Sequence, residues 1–233
     1  MTSSPGSYPV SLEGTLDEAL SRWKWLVKWF LAIPHFIVLL FLILGALFVS
    51  IGAWFAILFT GKYPRALFDY NAGVLRWGWR VAYYCTGVLG TDKYPPFSLD
   101  DDPAYPARLN IEYPEKLSRG LVLVKAWLLA LPHLLIIGLL TGGAYSVTTD
   151  NTAIQVTSPG LIGILAVVAG LILLFTGKYN DTLFDLLMGL NRWVYRVCAY
   201  VLLMTDEYPP FRLDQGGTES PAPLAGPVTP LAG

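Results

Sequence analysis

The chain has 233 residues, 54% of them hydrophobic against 14% charged, and a positive mean hydropathy of +0.50. That is more apolar surface than a soluble fold of this length buries, so the composition speaks against an ordinary soluble domain and makes a bilayer the expected solvent. The net charge of -1 carries no nucleic-acid signal.

In chain order, residues 1–7 are expected to be disordered. Tyr8, Val10 and Leu12 alternate with polar or small residues and predict a short strand. Thr15-Leu16-Asp17-Glu18 has capping-box spacing, which predicts that the first helix starts there in water. Trp23, Trp25 and Trp29 then read as an aromatic belt. From Trp29 to Thr60, 32 residues contain no Asp, Glu, Lys or Arg. As one helix they reach about 48 Å against a hydrocarbon core of about 30 Å, too long for one upright crossing and short for two. A Phe59-Thr60-Gly61-Lys62-Tyr63 turn follows, and then a helix predicted over 66–90. On that helix Asp69, Arg76 and Arg80 share one face, as an interfacial helix snorkelling its arginines toward headgroups requires. The alternative is a third crossing whose arginines face a protein interior or wet cavity, as in inverted-repeat transporters. Tyr94-Pro95-Pro96-Phe97 reads as a helix stop before it reads as a polyproline ligand.

The second half repeats the first. Tyr105-Pro106, Leu117-Ser118-Arg119, Lys125 and Pro132-His133 match Tyr8-Pro9, Leu20-Ser21-Arg22, Lys28 and Pro34-His35. Thr176-Gly177-Lys178-Tyr179, Asp185, Arg192-Trp193, Arg196 and Tyr208-Pro209-Pro210-Phe211 match their counterparts further on. Leu109 and Ile111 predict a second strand, and Pro114-Glu115 a second helix start. The second copy splits its apolar region into Gly120–Leu140 and Gly160–Thr176 around the polar segment 141–159. This predicts a transmembrane hairpin in each copy, with the first copy's turn near Gly45 or Ser50–Gly52. Arg22, Lys24, Lys28, Lys62 and Arg65, then Arg119, Lys125 and Lys178, flank the hairpins, whereas Asp150 is the only charge in 141–159. The positive-inside rule therefore puts 141–159 outside, with both termini cytoplasmic. No cleavable leader pattern is visible, so insertion through the first hairpin is expected.

The ordered series Pro-His, Thr-Gly-Lys-Tyr, Arg-Trp and Tyr-Pro-Pro-Phe in each half resembles a bacterial membrane-domain family of unknown function, number 4389 among such families. The resemblance implies a bacterial plasma membrane setting and brings no activity with it. The expected fold is an all-α membrane protein built by tandem duplication: two transmembrane hairpins, each with a third amphipathic helix, and short cytoplasmic strands. Its parts are a disordered 1–7, a first repeat 8–100, a second repeat 101–214 and a disordered tail 215–233.

Lys62, Arg76, Arg80, Lys178, Arg192 and Arg196 are candidates for two basic pockets holding anionic lipid phosphates, set against plain positive-inside anchoring. Asp69 and Asp185 are ion-pair candidates for the arginines. His35 and His133 read as structural partners of their prolines before they read as ligands, because two imidazoles without Cys, Asp or Glu make a poor metal shell. Cys85 and Cys198 occupy unmatched positions, which argues against a disulfide or metal motif. No catalytic constellation, cofactor or metal is indicated. The expected function is a non-enzymatic polytopic accessory or scaffold subunit, with anionic lipids and another membrane protein as partners and no nucleic acid. The rival readings are a small transporter or channel lined by the repeat arginines, and a bis-His redox subunit.

Overall fold

The computed structural model describes residues 8–149 and 152–215. The terminal segments expected to be disordered, Gln215 apart, lie outside the described residues, as does Asp150. The first repeat contains β1 (Val10–Gly14), α1 (Trp25–Leu31), α2 (Ile33–Thr60) and α3 (Arg65–Val81), the last continuing into a π-helical turn at Ala82–Thr86. The second contains β2 (Ala107–Ile111), a 3₁₀ turn and a π turn at Leu121–Leu123 and Lys125–Leu129, α4 (Leu131–Thr141), a β3–β4 hairpin (Gly143–Thr149, Thr152–Ser158), α5 (Gly160–Thr176) and α6 (Asp181–Val201). Helices dominate, and two small antiparallel sheets, β1–β2 and β3–β4, complete the described chain.

The hairpin expected within 29–60 does not form. Residues 33–60 are one 28-residue helix. A helical glycine costs about 1 kcal/mol, which an unbroken run of Leu, Ile and Phe outweighs. Gly45 serves instead as a contact point: a Cβ there would collide with the Tyr70 hydroxyl, which donates to the Leu42 carbonyl at 3.1 Å. In the second repeat, α4 supplies 11 residues and α5 17, together the length of α2. Segment 142–159 is therefore an insertion that opens one long helix without changing its length. Gly142 (φ 76°) and Gly160 (φ 70°) close the base of the insertion, and Cβ atoms on either would collide with the other's backbone.

The predicted helix starts are also displaced. Thr15–Glu18 is not helical: the Thr15 amide donates to Pro106 and the Asp17 carboxylate receives Thr91 and Asp92. Helical structure begins only at Trp25, and after Pro114 only at Leu121. Both expected strands do form, paired with each other from Val10↔Ile111 to Gly14↔Ala107.

The two repeats interlock. α3 and α6 run antiparallel, because Tyr63 reaches the Leu202 carbonyl at one end, Tyr179 reaches the Val88 carbonyl at the other, and Trp79 packs edge-on against Tyr195 between them. Trp79 and Tyr195 are equivalent positions in the two repeats, so their contact marks a pseudo-twofold axis. The sheet covers one side of this helix pair, turning Val10, Leu12, Leu109 and Ile111 into the core and leaving Glu13, Arg108 and Asn110 exposed. α2 lies on α3, and α4–α5 on α6. The exchange between repeats is complementary in size. Trp25 packs where a Cβ on Gly170 would be 2.7 Å away, and at the pseudo-equivalent contact Trp54 donates 3.1 Å to the carbonyl of the buried Val122.

Candidate functional site

The duplicated polar residues form buried supports, made twice with the same chemistry. Lys28 is 1% exposed and donates to the Thr91 carbonyl at 2.7 Å and to Asp92 at 2.9 Å, with the Tyr84 ring 5.3 Å away. Lys125 repeats this with Thr205 (2.8 Å), Asp206 (2.8 Å) and Tyr200 (5.3 Å). Burial pulls the pKa of both lysines down, against the opposing pull of their carboxylates. At Asp92, burial raises the carboxyl, but the bonds from Lys28 and the Ser21 amide outweigh it and hold the carboxyl below its usual range. Just upstream of each Thr-Asp pair, Leu89 and Leu203 are buried with φ of 62° and 65°, a left-handed turn that swings the pair back onto its lysine.

Two of the duplicated arginines join the repeats and two brace their own repeat. Arg76 donates to the Leu109 carbonyl of β2 at 3.1 Å, and Arg192 to the Leu12 carbonyl of β1 at 3.2 Å, so each third helix grips the other repeat's strand. Arg80 and Arg196 are buried, with their guanidinium groups bonded to the Ser98 and Asp100 carbonyls and to those of Arg212 and Asp214. Lys62 and Lys178 are exposed at the opposite end of each third helix. About 15–20 Å of helix separates Lys62 from Arg76, so the structure does not gather the six cations into two pockets. Asp69 pairs with Arg65 at 3.1 Å rather than with Arg76, and Asp185 is exposed on α6.

The two histidines lie in separate aromatic cages. His35 Nδ1 accepts from Trp77 Nε1 at 2.9 Å, and the ring stacks on Phe97 at 3.9 Å beside Tyr94. His133 does the same with Trp193 (3.2 Å), Phe211 (4.3 Å) and Tyr208. Accepting at Nδ1 places the neutral ring's proton on Nε2. Among the described residues neither Nε2 has a hydrogen-bond partner. The Pro-His, Arg-Trp and Tyr-Pro-Pro-Phe motifs are thus three parts of one cage, formed twice. Sequence reasoning missed the partners Asp92 and Asp206, although each sits in a duplicated Thr-Asp separated by one residue from the Tyr-Pro-Pro-Phe string.

What these supports hold up is an apolar layer. α2 buries only a stripe through His35, Leu39, Ala46, Ala53 and Ile57. The rest is open, Phe48 at 74%, and the same is true of α4–α5, where Phe175 is 79% exposed. α2 is the one described helix with the length and composition to cross a membrane; α4 and α5 are shorter apolar helices. Between them lies a groove of about 670 Å³. Equivalent residues of α3 and α6 form its floor, Leu75 with Asn191, Gly78 with Val194 and Ala82 with Cys198. Among the described residues no group of three or more His, Cys, Asp or Glu is placed to hold a metal ion.

The model of one family, described as a domain of unknown function (DUF4389), matches residues 22–98 and 153–212. The chain belongs to this family. The second matched segment begins within the β3–β4 hairpin and covers α5 and α6. Comparison with curated proteins and with solved structures finds no match.

Proposed function

We propose that this member of the family is a non-enzymatic membrane-resident scaffold, an accessory subunit of a membrane assembly. Its α2 and α4–α5 layer is immersed in acyl chains and its sheet-bearing face is presented to water. The observation that carries this reading is the continuous exposed surface of Phe, Leu and Ile on α2 and α4–α5, which bears no described charged side chain and far exceeds the few hundred Å² of apolar patch tolerated on soluble monomers. Tyr94, Phe97, Tyr208 and Phe211 are exposed at its borders, where interfacial aromatics anchor. The buried lysines, arginines and histidines are engaged with carbonyls, carboxylates and rings of the chain itself, a structural use consistent with a scaffold. Anionic lipid would meet the exposed Lys62 and Lys178 near the two ends of the apolar layer, Arg65 being already paired with Asp69. The reading is tested by flotation after alkaline carbonate washing: the full chain should rise with the vesicles. A monodisperse chain left in the detergent-free supernatant would overturn it.

A further inference from the structure

We propose that the protein lies flat in one leaflet, with α2 and α4–α5 parallel to the membrane plane and the β1–β2 sheet facing the water on the same side. This inference rests on the membrane reading above and commits its apolar face to one partner, the acyl region of a single leaflet. Three observations carry it.

The first is where the polar sheet sits. Its strands run beside the middle of the α3–α6 pair, since Trp79 donates to the Glu13 carbonyl, Arg76 to Leu109 and Arg192 to Leu12, while the helix ends extend beyond to Tyr63–Leu202 and Tyr179–Val88. A bilayer normal along the helices would set exposed Glu13 and Asn110, and the half-exposed Arg108–Asp101 pair (2.7 Å), at mid-depth against lipid. Charged groups at that depth are strongly disfavoured. Turned flat, the same residues lie on the face farthest from the apolar layer.

The second is the distribution of cations. The pseudo-twofold is perpendicular to the helices, so the ends of the apolar layer are equivalent. One end holds Arg22 against Gly177 with Lys178 beside it; the other holds Arg119 against Gly61 with Lys62. A spanning orientation would place one such cluster on each side of the membrane, against the asymmetry that orients spanning proteins. A flat orientation places both at one headgroup level.

The third is length. α2 extends about 42 Å, well over the hydrocarbon core of about 30 Å, and its partner is broken in the middle by a hairpin, a break without consequence in a helix that does not have to cross.

The test uses the full chain with Cys85→Ala and Cys198→Ala, carrying Lys62→Cys, Lys178→Cys or Asn110→Cys, in right-side-out and inside-out vesicles treated with an impermeant maleimide. All three sites are exposed. The expected result is that all three label in one vesicle orientation and none in the other, with at least tenfold contrast. Labelling of the Lys62 and Lys178 sites from opposite sides, or of each from both sides, would overturn the flat orientation while leaving membrane residence standing. A chain absent from the floated vesicles would instead remove the membrane reading itself.

Discussion

The Lys28–Asp92 pair allows a quantitative test, because the chain contains a second, less protected copy. At 2.9 Å and an effective dielectric of about 20, two unit charges attract by about 6 kcal/mol, a ceiling that solvent at Asp92 reduces. The lysine side chain is 2% exposed and the carboxylate 14%, against 1% and 28% for Lys125–Asp206. Asp92→Asn leaves a buried ammonium held by the Thr91 carbonyl and the Tyr84 ring, at an expected cost of about 3–5 kcal/mol. Lys28→Met leaves a carboxylate that still has the Ser21 amide and Lys24 at 3.4 Å, at about 1–3 kcal/mol. A double-mutant cycle should therefore give a coupling of about 2–3 kcal/mol for the first pair and about half that for the second. The assay is chemical unfolding of the detergent-solubilised chain, followed by tryptophan fluorescence. A first-pair coupling below about 0.5 kcal/mol, or a second pair coupled more strongly than the first, would refute the burial argument.

Acid sensitivity should follow the same group. Asp92 is depressed in the folded state, so its contribution is complete above the ordinary carboxylate value near 4 and is lost as pH falls through the lower folded value. Asp92→Asn should flatten the loss of thermal stability across that window, whereas Lys28 is an ammonium in both states there and leaves the slope alone. Arg80→Gln should cost about 3–5 kcal/mol by leaving Ser98 and Asp100 without their buried donor, while the half-buried Arg76→Gln should cost about 1–2 kcal/mol; paired unfolding curves check the order. Trp77→Phe removes the donor to His35 Nδ1 and should shift the imidazole nitrogen resonances of His35 alone, which labelled-histidine NMR reads directly. Deleting residues 142–159 should fuse α4 to α5 at the length of α2 and preserve the thermal midpoint to within a few degrees; loss of folding would mean the inserted hairpin supports the helix it interrupts.

Much of this architecture was readable in the residues, and its failures share a cause. The duplication, the third helices and the alternation at Tyr8–Leu12 are local patterns, and all appear where expected. The split in the second copy predicts a hairpin in the first, yet 142–159 is an insertion rather than a turn, and periodicity alone cannot separate a long helix from two short ones. The capping-box residues failed because Thr15 and Asp17 found partners at Pro106 and Thr91, a tertiary competition that no local spacing records. The arginines were legible as special but not in their roles, since their acceptors are backbone carbonyls, of the other repeat's strand for Arg76 and Arg192 and of their own repeat for Arg80 and Arg196, and carbonyls carry no side-chain signature.

The most direct measurement of the central claim is the depth of three positions along α2. Nitroxides placed through Ile37→Cys, Phe48→Cys and Phe59→Cys, all exposed and all on the side of α2 opposite its buried stripe, span about 33 Å of helix. Collision with oxygen and with a water-soluble nickel chelate reports their depth in reconstituted vesicles. High oxygen and low nickel accessibility are expected at all three, at similar depths. A maximum at Phe48 with both ends at headgroup level would contradict the flat orientation, and nickel access along the whole helix would contradict immersion altogether.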